Sequence, residues 1–255
     1  MFALVIVHLF SILPWYFTTK NTSPVEHKTS LKILHSNVLT SNREFELFSR
    51  LLEKENPTVV VLQEVNKAWV EGLANSLTAY KYRIEQPQND NFGIAIYSKL
   101  PFIKSNIISL GDLGLASLEV SFSVEGQDVT LIATHPIPPI SNLYHSARNN
   151  QLIDSAKRIV KLPGAKILVG DLNVSMWSGD YLAVETISGL NNARQGFGIL
   201  PTWPTYMPFL MIPIDHILIS KHFVINDFKV GDNIGSDHLP LITELALLKQ
   251  AVNGL

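Results

Sequence analysis

Apolar positions along the chain fall into short runs separated by polar turns, and their spacing predicts alternating strands and helices. Leu31 to Val38 is a strand-length run rich in aliphatic side chains. Phe45, Phe48, Leu51 and Leu52 keep helical spacing behind a cap at Ser41 or Asn42, and Asn56-Pro57 stops that helix. Thr58 to Leu62 is continuously apolar over strand length, the mark of a strand buried on both faces. Lys67 to Thr78 reads as a helix with Trp69, Leu73 and Leu77 on one side. Five strands are expected next, at Tyr80–Glu85, Phe92–Ser98, Ile103–Leu110, Leu115–Val124 and Val129–Thr134, separated by turn residues. Ser141 to Lys161 reads as a long amphipathic helix and Lys166 to Val169 as a buried strand. A loop-rich stretch over 189–213 leads to closing strands at His216–Ser220, Val224–Val230 and Leu239–Ala246. Buried parallel-type strands mixed with hairpins point to a layered α/β (α+β) domain with helices outside.

The first 17 residues differ in kind: they are almost wholly apolar, broken only by His8, Ser11 and Pro14. As a helix this run rises about 25 Å, slightly short of the roughly 30 Å hydrocarbon core of a bilayer. No Lys or Arg precedes it, while Lys20 and Lys28 follow, which is the wrong polarity for a signal peptide. The expected organisation is a membrane anchor over 1–19, a linker over 20–30, a catalytic domain over 31–248 and a tail over 249–255. A membrane-associated protein with a monomeric catalytic domain follows, and the two lysines vote weakly for a cytoplasmic domain.

Composition adds exclusions. The chain is 46% hydrophobic and 16% charged, which suits a cored globular protein and argues against disorder. Its net charge of −2 gives no general electrostatic reason to bind nucleic acid. With no cysteine, disulfides, thiolate nucleophiles and zinc-thiolate sites are excluded.

The chemistry-bearing residues gather where the expected strands end, as α/β sites usually do. Asn37 ends the first strand and Gln63-Glu64 the second; Thr134-His135 ends a middle strand. Asp171 and Asn173 follow the Lys166 strand, Asp215-His216 opens a late strand, and Ser236-Asp237-His238 precedes the last. A carboxylate after a strand is more often a cap or turn former than a ligand. Six such stations, each at a strand edge, make the constellation the signal.

These residues carry a resemblance to the endonuclease/exonuclease/phosphatase superfamily. The matching pieces are Asn37, Gln63-Glu64, Gly93 to Pro101 (GIAIYSKLP), Thr134-His135, Gly170 to Asn173 (GDLN), Ile214 to Ser220 (IDHILIS) and Ser236 to Leu241 (SDHLPL). THPIPP and LPTWP…IPIDH look most like a bacterial branch with hydrophobic N-terminal segments. The resemblance implies a four-layer sandwich, two packed mixed β-sheets flanked by helices. It also implies a divalent-metal-dependent hydrolase of a phosphate ester, with Asn37 and Asp237 joining Glu64 around the metal.

The residues argue the same chemistry. A phosphodiester anion repels hydroxide, so its hydrolysis needs charge neutralisation and an aligned, activated water. Glu64 offers the hard oxygen that Mg2+, or Mn2+, prefers. His238 is the expected general base with Asp215 orienting it. Asp171 and Asn173 are expected to align the water, and His135 to donate to the phosphate or assist the leaving group. His216 alternates away from Asp215 and reads as structural. Arg148 and Gln151 share one face of the long helix, where a solvated position is expected ahead of the alternative that they brace the site. A metal-dependent DNA nuclease is the alternative; an inactive membrane-tethered binding module of the same fold is the alternative of another class, and its broken-site signature is missing.

Overall fold

The computed structural model describes residues 9–17 and 31–248. Two six-stranded mixed sheets form the body of the described chain. In the first, β1 (Leu31–Asn37), β2 (Val59–Gln63), β3 (Tyr82–Gln86), β4 (Ile94–Ser98), β11 (Phe223–Val230) and β12 (Leu241–Leu247) run in the order β11-β12-β1-β2-β4-β3. In the second, β5 (Phe102–Ser109), β6 (Ala116–Val124), β7 (Gln127–Thr134), β8 (Ala165–Asp171), β9 (Asn191–Asn192) and β10 (Asp215–Ile219) run β5-β6-β7-β8-β10-β9. Each sheet has one parallel pair near its centre, β1 with β2 and β7 with β8; every other pairing is antiparallel.

Three apolar layers hold these sheets between helices. Alternate residues of both sheets, among them Leu31, Ile33, Val59, Val61, Leu131, Val169 and Ile217, meet in the middle. The outer face of the first sheet packs through Leu34, Val60 and Leu62 on α1 (Phe45–Glu55) and α2 (Lys67–Gly72). The outer face of the second packs through Ile132, Leu168 and Leu218 on α3 (Asn142–Val160) and α4 (Gly179–Ser188). The four-layer sandwich expected from the sequence is therefore the observed fold.

Two local expectations change. The helix read as Lys67 to Thr78 ends at Gly72, and turns carry the chain onward. The Phe45 ring packs so closely on Gly72 that a Cβ there would lie 2.6 Å from it. The helix α4 lies in a stretch given no element, because its apolar residues occupy both sides. Tyr181 and Val184 are buried while Leu182 and Ile187 are exposed, which erases the 3.6-residue signal. Among the described residues, no helix is long enough and apolar enough to cross a membrane. The expected anchor lies partly outside them, at 1–8 and 18–19, as do the linker at 20–30 and the tail at 249–255.

An ion-pair cluster clamps α1 to the first sheet. Glu55, buried at the end of α1, meets Lys32 of β1 at 2.9 Å and Lys229 of β11 at 3.0 Å. Burial opposes ionisation of this carboxyl, but the two ammonium partners outweigh it and hold its pKa below the ordinary value. A depressed carboxyl stabilises the fold above its unfolded pKa and loses that contribution as pH falls through its folded pKa. Thermal melting of the wild type should therefore decline below about pH 4.5, near the unperturbed glutamate range. Glu55→Gln should start less stable at pH 7 and lose less on acidification; parallel melting curves for the two proteins would refute the clamp.

Candidate active site

The period-two alternation of β-strands explains how the site arises. On β1 the row facing the opposite sheet reads Leu31, Ile33, His35, Asn37; on β2 it reads Val59, Val61, Gln63. The rows of the second sheet read Leu131, Ala133, His135 and Ile167, Val169, Asp171. On β10, Ile219, Ile217 and Asp215 run the other way, and Asp215 pairs in register with Asp171. Every row is apolar along the sandwich and turns polar at the same end. The polar residues are thus the buried polar end of the inter-sheet core.

Asp171 sits at the centre of that end. Its Oδ2 lies 3.4 Å from Asn37 Nδ2, 3.5 Å from His135 Nε2 and 3.6 Å from His238 Nε2. Its Oδ1 accepts from the Asn173 amide at 2.9 Å. Asn37 Nδ2 also donates to Glu64 Oε1 at 2.9 Å, and Glu64 Oε2 accepts from the Thr40 amide at 3.3 Å. Asp237 Oδ2 accepts from the Trp203 indole at 3.1 Å, while its buried Oδ1 has no protein partner. Glu64 and Asn173 hold left-handed backbone at φ 59° and 50°, strain that tends to persist where surrounding structure fixes a functional side chain.

Asp215 is fully buried and bridges two histidines. Its Oδ2 meets His238 Nδ1 at 2.8 Å and its Oδ1 meets His35 Nε2 at 3.0 Å. Arg194, also fully buried, donates to the Asp215 carbonyl at 2.9 Å. Burial disfavours charge on Asp215, but the His238 charge and the two imidazole hydrogen bonds outweigh this and hold its pKa well below the ordinary value. For His238 burial likewise opposes charging, yet the Asp215 and Asp171 carboxylates prevail and raise its pKa to about 10. His135 is raised for the same reason by Asp171 and Glu64, against its burial. Glu64 moves the other way from most paired carboxylates: its burial lifts its pKa.

All eight residues expected from the sequence therefore meet at one place. A cleft of about 410 Å³ is lined by Glu64, His135, Asp171, Asn173, Asp237 and His238, with Trp203 and Ile140 on its walls. Asn37 reaches this group through Glu64, and Asp215 stands behind His238 away from the cleft. A second cleft of about 440 Å³ beside α1 carries none of these residues.

Among the supporting residues, some escaped the sequence reading and others were named there without their role. His35 was passed over, although counting back two positions from Asn37 places it on the same face. Gln63 spans strand ends: its Oε1 accepts from the Asp171 amide at 2.7 Å and its Nε2 donates to the Thr134 carbonyl at 2.8 Å. Arg148 and Gln151, expected on a solvated face, are buried. Arg148 donates to the Asn173 carbonyl at 2.7 Å and pairs with Asp180 at 2.9 Å; Gln151 donates to Thr134 Oγ1 at 3.0 Å. The expectation failed because a helix packed on the end of a sheet buries polar residues that hold loops. His216 turns away as expected, meets the Val174 carbonyl at 2.8 Å, and is kept neutral by burial and Arg194, its pKa down to about 3.

The donor set suits a hard divalent cation: several carboxylate oxygens, an amide and a partnerless buried oxygen on Asp237. Among the described residues, Asp171, Asp215 and His238 bring ligand atoms within 4.8 Å of one another. Asp215 is already engaged on both oxygens by histidines, so the ligands left facing the cleft are Glu64, Asp171 and Asp237.

Comparison with known proteins decides the family. The model of the Endonuclease/Exonuclease/phosphatase family matches residues 34–238. The chain belongs to that family. Its fold is similar to that of a humanized D. rerio TDP2 (TM-score 0.72, 19% identity, 84% of this chain and 98% of that one). It is also similar to the endonuclease/exonuclease/phosphatase from Beutenbergia cavernae (TM-score 0.66, 20% identity, 87% and 72%). D. rerio TDP2 complexed with single strand DNA product gives a TM-score of 0.72 at 20% identity, covering 84% and 98%. No curated protein sequence matches the chain. Family membership points to a hydrolase of phosphate esters or nucleic acids.

Gly170 tests the geometry of this family site. It precedes Asp171 at φ 157°, and a Cβ there would come 2.0 Å from the Thr134 carbonyl and 2.7 Å from Gln63 Nε2. Gly170→Ala should destabilise the fold by about 1–3 kcal/mol or more, as overpacking does. At about 2–4 °C per kcal/mol the melting temperature should fall by at least a few degrees. An unshifted melt would remove the tight β7–β8 crossing from the account.

Proposed function

We propose that the chain hydrolyses a phosphate ester, a phosphodiester or phosphomonoester, with Mg2+ or Mn2+ held by Glu64, Asp237 and Asn37. One observation carries this reading: the cleft is lined by three carboxylates and two histidines, and no Lys or Arg is among its lining residues. A phosphate anion entering such a cleft meets repulsion, which only a cation removes. When bound, the cation neutralises the carboxylates and the phosphate oxygens together.

The protein's own groups then divide the work. His238 keeps Nδ1 on Asp215, leaving Nε2 toward the cleft. With its pKa raised to about 10 by Asp215 and Asp171 against its burial, that imidazole is protonated at neutral pH. A cation held by the neighbouring carboxylates would lower that pKa toward the range of a proton acceptor. In this reading base strength and metal binding are one property. Nε2 takes a proton from water as the water oxygen bonds phosphorus and the ester oxygen departs. Asp171 and Asn173 align the water, His135 donates to a phosphate oxygen or the leaving group, and Asp215 with His35 fixes the imidazole.

A nuclease reading is supported by the D. rerio TDP2 relative solved with a single strand DNA product. The absence of Lys and Arg from the cleft lining counts against a site that tracks a nucleic-acid backbone. The filled catalytic stations count against an inactive binding module.

Turnover of bis(p-nitrophenyl) phosphate should vanish in EDTA and return with Mg2+ or Mn2+. Glu64→Gln should shift the metal titration to higher concentration and lower turnover. Chelator-resistant activity contradicts the metal assignment, and an unchanged titration contradicts Glu64 as ligand. His238→Ala should cost about 10²- to 10⁴-fold in turnover with the melting transition still cooperative; full residual activity removes it as the base. A panel of abasic DNA, single-stranded DNA, RNA, sphingomyelin and inositol phosphates ranks the substrate classes.

A further inference from the structure

Four stretches at the rim of the cleft carry no Asp, Glu, Lys or Arg: residues 136–144, 172–179, 195–214 and the N-terminal 9–17. Three of them line the cleft directly, 172–179 through Asn173 and the other two through Ile140 and through Trp203 and Ile212, whose bridge closes the 203–212 loop. The latter two present large side chains to solvent. Ile140, Leu143, Tyr206, Phe209 and Leu210 are each more than half exposed, Ile140 to 82% and Phe209 completely.

The N-terminal stretch joins the same rim. The Trp15 carbonyl accepts from the amides of Gly196 and Gly198, at 2.9 and 2.8 Å, on the loop that runs to Trp203. The Ser11 carbonyl accepts from the Trp177 indole at 3.1 Å, on the loop that begins at Asn173. Phe10, Tyr16 and Phe17 are exposed there. In sequence, Met1 to His8 precede this point and are apolar apart from His8.

Monomeric proteins rarely leave such an uncharged apolar surface in water. Aromatic and aliphatic side chains without charges are suited to the boundary between lipid headgroups and acyl chains. Nucleic acid would meet no cation on these loops. We propose that this rim docks on a lipid bilayer. The cleft mouth then faces the headgroup layer, where phosphate esters are carried. The docking is independent of the chemistry in the cleft; the inference of a lipid-borne ester rests on the phosphoesterase reading above.

The absence of cysteine makes the test direct. The full chain carrying Phe209→Cys, or Glu53→Cys on α1 as control, is labelled with an environment-sensitive fluorophore and reconstituted into phosphatidylcholine vesicles containing doxyl-lipid. Fluorescence at 209 should be quenched at least threefold more than at 53. Equal quenching at both positions overturns the docking. If sedimentation also shows a dimer whose formation shields the label at 209, a second copy covers the face and the bilayer reading falls. Hydrolysis of bis(p-nitrophenyl) phosphate by the same preparations separates the two readings. Strong quenching at 209 without any metal-dependent turnover leaves the docking standing and removes the lipid phosphoester; turnover without differential quenching does the reverse.

Discussion

Charged side chains at the end of a close-packed interior cannot stay there without partners, and the arrangement of this protein follows from how they find them. Asp215, with no exposure to solvent, reaches across the sandwich to His35 and sideways to His238. Each of these groups comes from a different strand or strand-edge turn. The carboxylate is kept ionised by the imidazoles, and the imidazole of His238 is kept charged by the carboxylates. This mutual dependence ties the two sheets together and holds one ring nitrogen of His238 toward the cleft. Breaking a buried pair of this kind by removing one partner typically costs about 3–5 kcal/mol, far more than an exposed ion pair contributes.

The rest of the site is a set of braces on that core. Ser236 hydroxyl donates to the Asn37 carbonyl at 2.8 Å and accepts from the His238 amide at 3.1 Å, so the turn that carries His238 is pinned to the end of β1. Gln63 does for Asp171 what Ser236 does for His238. Arg148 holds the far side of the Asp171 turn through the Asn173 carbonyl. The side chains that face the cleft are therefore fixed by others that never reach it.

Much of this was legible in the sequence, for a physical reason. Strand-end positions in an α/β fold are marked by an abrupt change from aliphatic to polar residues, and Asn37, Glu64, His135, Asp171 and Asp215 each sit at such a change. The order of the strands within each sheet and the assignment of pairs to sheets were not legible. Pairing between β1 and β12 joins residues from opposite ends of the domain, and nothing local announces it. His35 was missed because a polar residue inside an apolar run looks like an exception until its partner is known, and Arg194 because it lies in a stretch that reads as loop. Arg148 looked solvated because helical periodicity reports the average face, and α3 buries polar residues where it crosses the strand ends. The helix α4 hid behind apolar residues on both of its sides.

The pairing of β1 with β12 has a consequence for how the protein is made. The strand that the ribosome releases among the first of the domain gains one of its two neighbours only after about two hundred further residues have been synthesised. Until then that margin of β1 displays unpaired amide and carbonyl groups. A nascent chain stalled or cleaved ahead of residue 236 would have most of its core and yet neither the turn bearing His238 nor a cover for that margin. The site is assembled only with the last strand, and prematurely ended chains keep an uncovered strand margin that favours self-association.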